Sequence, residues 1–363
     1  MVATCCPSNA LRFVETLNPT KMKKRTRTIH GLKKSMLLMT LLTLLLVLLQ
    51  ACNSDDALPG PTDPEKERYV DLIFDSVNSS TGSYGSFSVN NYEFFEPTGD
   101  SETSRPMIIL SPGGNHTSFT RKDKLIGMCK NLAKRGYVTA VIEYAQVSGT
   151  IDGKLQDFSD LYVLGIRDQR SAIRYFRKNA DQFGVDPNKI FIGGWSTGAT
   201  LSFGTAFMSE EEMRSITDAN LRSTVIASLE EFGGLDSDEN LGVSSQANGA
   251  LIIMGLSFDV SHIDSSIPLM MINHEKAVTV SDCQSFTNEV LIKTIDTSLT
   301  AYGTNLIFDQ AKKSGLSENA DLEYIYQTNW ESGWKECDWY PNVSTLTSDN
   351  YQVIAEFFHR NLQ

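Results

Sequence analysis

The pentapeptide GWSTG at residues 194–198 has the residue types and spacing of a reactive serine held in a sharp turn. The apolar run at 189–193 predicts a buried strand, and a helix is expected from 197 to about 208. A serine oxygen is a weak nucleophile at neutral pH, and a strand-to-helix turn exposes it beside the positive end of the following helix. The flanking glycines let the neighbouring chain approach without a clash. The segment therefore predicts acyl transfer through Ser196.

A second glycine-rich turn, at residues 111–115, follows a predicted strand at 107–110. Glycine amides in such a turn can approach a substrate closely, because no side chain stands in the way. An oxyanion hole combines backbone donors from this kind of loop with the donor that follows the nucleophile. The sequence predicts Gly113, Gly114 and Thr197 as these donors.

Strand and helix patterns alternate along the chain from residue 69, so the elements that must position these turns form repeated βα units. The first strands are expected near 69–74 and 92–95, with an antiparallel start. The predicted fold class is α/β: a doubly wound, mostly parallel sheet with helices on both faces and a crevice at the carboxyl ends of the strands. The acidic stretch 210–240 is less regular and is expected to cover part of the crevice. Further strands are predicted at 137–144, 250–254, 268–272 and 322–326, and further helices at 123–134, 161–179, 303–313 and 348–362.

These features together resemble the carboxylesterase and lipase branch of the α/β-hydrolase superfamily, in particular exported bacterial esterase-like members. The resemblance covers residues 69–363. It is carried by RP at 105–106 before PGG at 112–114, by Asp168 with AIRYFR at 172–177, and by FGVDPNKI at 183–190 before the serine turn. It implies an α/β-hydrolase fold, a serine nucleophile, an acid after the strand near residue 270, a histidine after the last strand, and neither a cofactor nor a metal.

The sequence departs from this family where the acid and the base are expected. An ungapped alignment of the acid loop places Ala277 at the acid position, and a methyl group cannot orient an imidazole. After the last strand, Trp330 and Trp334 stand in the loop where the family has its histidine. Pro112 also replaces the histidine that precedes the oxyanion glycines, although the amides are kept.

His274 is the best replacement base, because it ends a strand whose carboxyl end faces the crevice. Glu275 and Asp282 are the candidate carboxylates that would orient it. Aromatic side chains beside a crevice commonly stack on sugar rings or apolar groups, although the tryptophans near Cys337 fit equally well as a loop held by its own aromatics. The residues expected to contact substrate are His116, Trp195, Trp330 and Trp334.

The first 52 residues have the pattern of a lipoprotein signal peptide. Lysines and arginines precede the 14-residue apolar block 36–49, which ends at Ala51 and Cys52. This block is short for a bilayer span of about 20 residues, so we expect cleavage and lipidation at Cys52; the alternative is an uncleaved short anchor. The predicted organisation is a leader at 1–52, a flexible tether at 53–68 and a hydrolase domain at 69–363. The predicted location is the bacterial cell envelope, with a lipid anchor in a membrane.

The net charge limits the classes of partner that we expect, and the cysteines indicate one buried thiol and one disulfide. Residues 1–52 hold 8 of the 32 basic and 1 of the 44 acidic residues, so residues 53–363 carry a formal net charge of −19. Such acidity excludes nucleic acid as a partner.

Cys129 lies on the apolar side of a predicted helix and is expected to be a buried thiol. In an oxidising envelope, Cys283 and Cys337 are the expected disulfide.

Two functions remain open from the sequence. The first is hydrolysis of a small-molecule ester or an acylated glycan by Ser196 with a non-standard or impaired triad. The alternative is a catalytically inactive α/β-hydrolase-fold protein that binds an ester, a glycan or a protein partner. The intact serine turn favours the first function, and the missing acid and base favour the second.

Overall fold

An eight-stranded mixed sheet forms the centre of the fold, and two further strands form a separate hairpin. The computed structural model describes residues 66–114, 122–146, 154–236, 239–274, 288–293, 296–327 and 348–362. The strands are β1 (Val77–Ser83), β2 (Asn91–Pro97), β3 (Arg105–Ser111), β4 (Val138–Ile142), β5 (Val185–Trp195), β6 (Ala250–Ile253), β7 (Leu269–His274), β8 (Glu289–Lys293), β9 (Ser298–Tyr302) and β10 (Leu322–Gln327).

The order of strands in the large sheet is β1-β2-β4-β3-β5-β6-β7-β10. Strand β2 pairs antiparallel with β1 and with β4, whereas all neighbours in the series β4-β3-β5-β6-β7-β10 pair in parallel. Parallel neighbours require crossover connections, and helices supply most of them here. The predicted doubly wound, mostly parallel sheet with an antiparallel start is therefore confirmed.

Helices cover both faces of this sheet. Strand residues alternate between the two faces, so Ile190 and Ile192 of β5 pack on one side and Phe191 on the other. The described helices are α1 (Lys122–Ala133), α2 (Leu155–Lys178), α3 (Ala180–Phe183), α4 (Thr197–Phe207), α5 (Glu210–Met213), α6 (Ala219–Phe232), α7 (Thr304–Ser314) and α8 (Ser348–Arg360).

Each face has its own hydrophobic core. Helices α2, α4 and α7 contribute to the first core with side chains such as Phe176, Phe203 and Ile307. Helices α1 and α8 contribute to the second, in which the rings of Phe191 and Phe358 lie 4.9 Å apart. Cys129 of α1 is fully buried there as a free thiol, which confirms that prediction.

The position of the first strand is a correction. Residues 69–74 form turns and irregular chain, and β1 begins at Val77 instead. The apolar side chains before it serve packing, since the ring of Tyr69 lies 5.1 Å from that of Tyr137. Among the described strands, β1 pairs only with β2, and its side chains are mostly exposed. An edge strand of this kind needs no apolar face, so the alternation that predicts strands is missing from its sequence.

Several elements were not predicted. The stretch expected to be irregular contains α5 and α6, and α6 places Val225 and Leu229 in the same hydrophobic cluster as Tyr162 of α2. The β8–β9 hairpin lies between β7 and α7. None of the helices in the described part of the chain is long and apolar enough to cross a membrane.

Candidate active site

Ser196 lies between the end of β5 and the first residue of α4, in a backbone conformation that is unusual for a side-chain-bearing residue. Its φ is 51° and its ψ is −118°. Such conformations cost about 1–3 kcal/mol and persist only where surrounding contacts impose them. Ser196 is half-buried, whereas its strand neighbour Trp195 is fully buried. The turn thus places a partly accessible serine at the carboxyl edge of the sheet.

Glycines on both sides of Ser196 allow this geometry. A Cβ added at Gly194 would lie 2.5 Å from the carbonyl carbon of Gly198. A Cβ at Gly198 would lie 2.1 Å from the carbonyl oxygen of Ser111, at the end of β3. No real Cβ contact is this short, so the first turn of α4 must pack backbone against backbone on β3. The predicted requirement for glycine at both positions is confirmed.

The loop after β6 holds the other side of the turn. The Ser196 amide donates to the Ile253 carbonyl over 2.9 Å, and the Leu256 amide donates to Thr200 Oγ1 over 3.1 Å. Met254 adopts a positive φ of 53° directly after β6, and a Cβ at Gly255 would lie 2.7 Å from the Ala199 Cβ. Helix α4 is therefore fixed between the ends of β3 and β6.

The predicted oxyanion residues lie beside the serine. A Cβ at Gly113 would be 3.0 Å from the Ser196 Cβ, so the two backbones are in near contact. Gly114 follows with a positive φ of 140°. Tyr144, two residues after the end of β4, supports this loop, because its hydroxyl donates to the Pro112 carbonyl over 2.7 Å. The loop with Gly113 and Gly114 therefore lies beside the turn with Ser196 and Thr197.

Two polar residues of α2 lie beneath this region. Asp168 is 6% exposed and accepts a hydrogen bond from the Ala145 amide over 2.7 Å. Burial raises the pKa of Asp168 to about 6, partly offset by hydrogen bonds from Ala145 and Asn90. Gln169 is fully buried, donates a hydrogen bond to Ser111 Oγ and was not among the predicted site residues. No local pattern in the sequence marks a buried glutamine of this kind.

The sheet brings the predicted base to the edge that carries Ser196. Trp195 of β5 pairs with Ile253 of β6, and Ile253 pairs with Ile272 of β7. The carboxyl ends of β5 and β7 therefore lie at the same level of the sheet. Strand β7 ends at His274, two strands from Ser196, or about 10 Å at the usual strand spacing. This distance separates the backbones of His274 and Ser196.

Several predicted residues lie outside the described part of the chain. They are Cys52, His116, Glu275, Asp282, Cys283, Trp330, Trp334 and Cys337.

Trp195 departs from its expected role in substrate contact. Its side chain is 2% exposed and packs in the second core with Phe191 and Ile253. Side chains alternate along a strand, so the residue before Ser196 points into the layer below. We therefore assign the indole to packing beneath the serine turn.

The described histidines other than His274 make surface contacts. His262 Nε2 lies 3.5 Å from Ser215 Oγ, and its Nδ1 lies 4.0 Å from Glu212. His359 Nε2 lies 3.1 Å from Glu67. Across the described ranges, no group of three His, Cys, Asp or Glu residues is arranged to hold a metal ion.

Comparison with known proteins agrees with this architecture. Residues 93–238, which include β3, α2, β5 and the serine turn, match the BD-FAE family model. The non-reducing polyketide synthase pkbA of Emericella nidulans is 29% identical over 131 residues, which cover 36% of this chain. The polyketide synthase Preu6 of Preussia isomera is 26% identical over 108 residues. The chain spans about 5% of the length of each of these curated relatives.

Structures of esterase 2 from Thermogutta terrifontis share the fold. The form phosphonylated by cyclosarin superposes with a TM-score of 0.51 at 19% identity, covering 78% of this chain and 94% of the esterase. The butyrate-bound form superposes with a TM-score of 0.50 at 19% identity, covering 77% and 92%. At this identity the match shows the fold. This chain therefore has an α/β-hydrolase fold, and residues 93–238 are similar to an esterase family of that fold.

Proposed function

We propose that this esterase-like α/β-hydrolase-fold protein is a carboxylic ester hydrolase with Ser196 as its nucleophile. The observation that carries the proposal is the turn at Ser196, with φ 51° and ψ −118°, in near contact with Gly113. A serine in a strained turn is expected where the conformation serves the reaction, because the strain lowers stability without other benefit.

The reaction would proceed in two steps. Ser196 Oγ attacks the ester carbonyl carbon while a base takes its proton, and the carbonyl oxygen becomes an oxyanion bound by the amides of Gly113, Gly114 and Thr197. The alcohol leaves with a proton and an acyl-serine remains. Water then attacks the acyl carbon, which releases the acid and restores the serine.

His274 is the proposed base, oriented by Glu275 or Asp282. Support comes from the level of β7 in the sheet, which ends at His274 on the edge that carries Ser196. His274 thus replaces the histidine that the family places after the last strand.

The second candidate function is binding without turnover. It is favoured by Ala277 at the family's acid position and by Trp330 and Trp334 in the family's histidine loop. An enzyme that lacks its base still retains about 10³–10⁴-fold acceleration over water from the oxyanion hole and binding. Weak residual hydrolysis would therefore accompany this second function.

The cellular location and the substrate class are also proposals. We propose that Cys52 carries a lipid that anchors the protein in a membrane of the bacterial cell envelope, and that the substrate is a small-molecule ester or an acylated glycan. The lipobox-like end of the 36–49 block supports the anchor, and the −19 charge of residues 53–363 argues against nucleic acid as a partner. Metabolic incorporation of an alkynyl fatty acid that is lost in Cys52→Ser would support it, whereas equal incorporation in both proteins would oppose it.

A fluorophosphonate probe tests the central proposal. The wild-type protein should be labelled covalently, and Ser196→Ala should abolish labelling, because the probe reacts with an activated serine oxygen. Ser215→Ala is the matched control, since Ser215 is an exposed serine that also lies near a histidine, and it should be labelled like the wild type. A folded wild-type protein that takes no label would favour the binding function.

A further inference from the structure

We infer that Gln169 is a positioning residue that sets the spacing between the oxyanion loop and the nucleophile helix. Gln169 lies on α2 and is fully buried. It does not touch the serine turn from the substrate side; it holds the two backbone segments that carry the proposed donors. The inference rests on the proposed function and adds a residue to it.

The Gln169 amide joins the two segments directly. Its Nε2 donates to Ser111 Oγ over 2.8 Å on the side of β3. The same nitrogen donates to the Gly198 carbonyl over 3.2 Å and to Ser202 Oγ over 3.1 Å on α4. Its Oε1 accepts from Thr205 Oγ1 over 2.7 Å. One buried side chain thus bonds the end of β3 and two turns of α4.

These contacts lie at the junction that fixes the oxyanion hole. Ser111 precedes the turn with Gly113 and Gly114, and Gly198 follows Thr197. The two backbones meet so closely that a Cβ at Gly198 would fall 2.1 Å from the Ser111 carbonyl oxygen. Because one set of donors lies on each side of this junction, its width determines whether both can reach the same oxygen.

Because Gln169 is buried, its side-chain amide needs hydrogen-bond partners within the protein. An amide that is buried without partners destabilises the folded protein, so Gln169 is tolerated there only while its hydrogen-bond partners stay in reach. Loss of the amide leaves close packing alone to keep the strand end and the helix in register. A misplacement of about 1 Å at a reacting centre can lower the rate about 100-fold.

The expected signature is a fall in kcat with little change in KM. The oxyanion interaction is made fully only in the transition state, so a displaced donor affects kcat. We expect Gln169→Met, which keeps the length but loses the amide, to lower kcat for a p-nitrophenyl butyrate substrate by about 10- to 100-fold. KM should stay within about threefold of the wild type, and fluorophosphonate labelling should slow in parallel.

Gln156→Met is the matched control. Gln156 lies on the same helix, and its Nε2 likewise donates to several acceptors, among them Asp160 Oδ1 at 2.7 Å and Ser228 Oγ at 3.0 Å. The contact with Ser228 joins α2 to α6, the contact with Asp160 stays within α2, and neither reaches the serine turn. This variant should change kcat by less than about twofold, although both variants lose a comparable network.

Amide hydrogen exchange gives a readout that does not depend on turnover. Peptides covering 111–114 and 196–199 should exchange faster in Gln169→Met and unchanged in Gln156→Met. Wild-type exchange at both peptides in Gln169→Met would overturn the inference, as would an equal fall in kcat in the two variants. A wild-type protein that neither takes label nor hydrolyses ester would defeat the proposed function, and exchange would still decide the role of Gln169.

A milder variant, Ser111→Ala, tests the inference if Gln169→Met does not fold. Ser111→Ala removes only the acceptor on the side of β3. It should accelerate exchange at 111–114 and lower kcat in the same direction but less than Gln169→Met. If Ser111→Ala folds and changes neither quantity, the inference is wrong.

Discussion

The two halves of the candidate site are built in different ways. The nucleophile half, formed by β3, β5 and α4, depends on backbone contacts: glycines at 194 and 198, a strained Ser196, and carbonyls within van der Waals reach. The acid and base half follows β7 and β10, where the family uses specific side chains on loops and this sequence has Ala277, Trp330 and Trp334. Backbone contacts require a few residue types at fixed positions, whereas a proton acceptor can be supplied from different positions. The first half is therefore tightly constrained by sequence, and the second can be rearranged.

The largest expected effect concerns the proposed base. His274→Ala should lower ester hydrolysis by about 10⁴- to 10⁶-fold, because a serine without a base is a weak nucleophile. His262→Ala, at the surface beside Ser215, is the control and should retain wild-type turnover. The measurement is initial velocity on a short p-nitrophenyl ester at neutral pH. Unchanged turnover in His274→Ala would remove this histidine from the mechanism and make the two halves of the site independent.

The next effect concerns the backbone junction of the nucleophile half. Gly198→Ala should lower the free energy of unfolding by about 3 kcal/mol or more, because the new Cβ meets backbone oxygens that cannot move aside. Gly127→Ala is the control: Gly127 lies on α1 with nothing within 4 Å of an added Cβ. In a helix interior that change should stabilise by about 0.5–1 kcal/mol.

Urea unfolding of the two glycine variants gives the comparison. A Gly198→Ala protein as stable as the wild type would show that the strand end and the helix can separate without cost. The contrast between a rigid nucleophile half and an adaptable base half would then fail.

The smallest effect is the pH dependence that comes from Asp168. Its pKa rises from 3.8 to about 6 on burial, so the folded protein binds an extra proton between these values. The stability from this group is fully present below pH 3.8 and falls as pH rises through 6, by about 3 kcal/mol. Asp168→Asn keeps an acceptor for the Ala145 amide and removes the buried charge. We expect the variant to be at least as stable as the wild type at pH 7.

The difference between the two proteins isolates this contribution, because the other titrating groups are shared. Thermal unfolding followed from pH 4 to pH 7 should show the gap in favour of Asp168→Asn growing with pH. A constant gap across this range would mean that the carboxyl titrates at its ordinary value in the folded protein.

Local patterns in the sequence were sufficient for most of the sheet. The apolar runs in β3, β4, β6, β7 and the second half of β5 predict strands within a few residues of the observed ends, because a strand buried on both faces must be apolar along most of its length. Strand β10 was also predicted, although its side chains are only partly buried. Helix α6 was not predicted, yet its signals are present. Leu221, Val225 and Leu229 recur every four residues, Asp218 caps the amino end, and Gly233 ends the helix with φ 77°. Strand β1 lacks such a signal, since its side chains are mostly exposed.

The sequence by itself determined the serine turn, its glycines and the α/β order of elements, because these depend on backbone sterics and apolar periodicity within short segments. Only the tertiary structure decided that Trp195 packs beneath the turn, that Gln169 bonds β3 to α4, and that Asp168 is buried deeply enough for its pKa to rise. Those facts depend on which residues from distant segments meet. Contacts between distant segments follow from how the whole chain packs, and no local pattern records them.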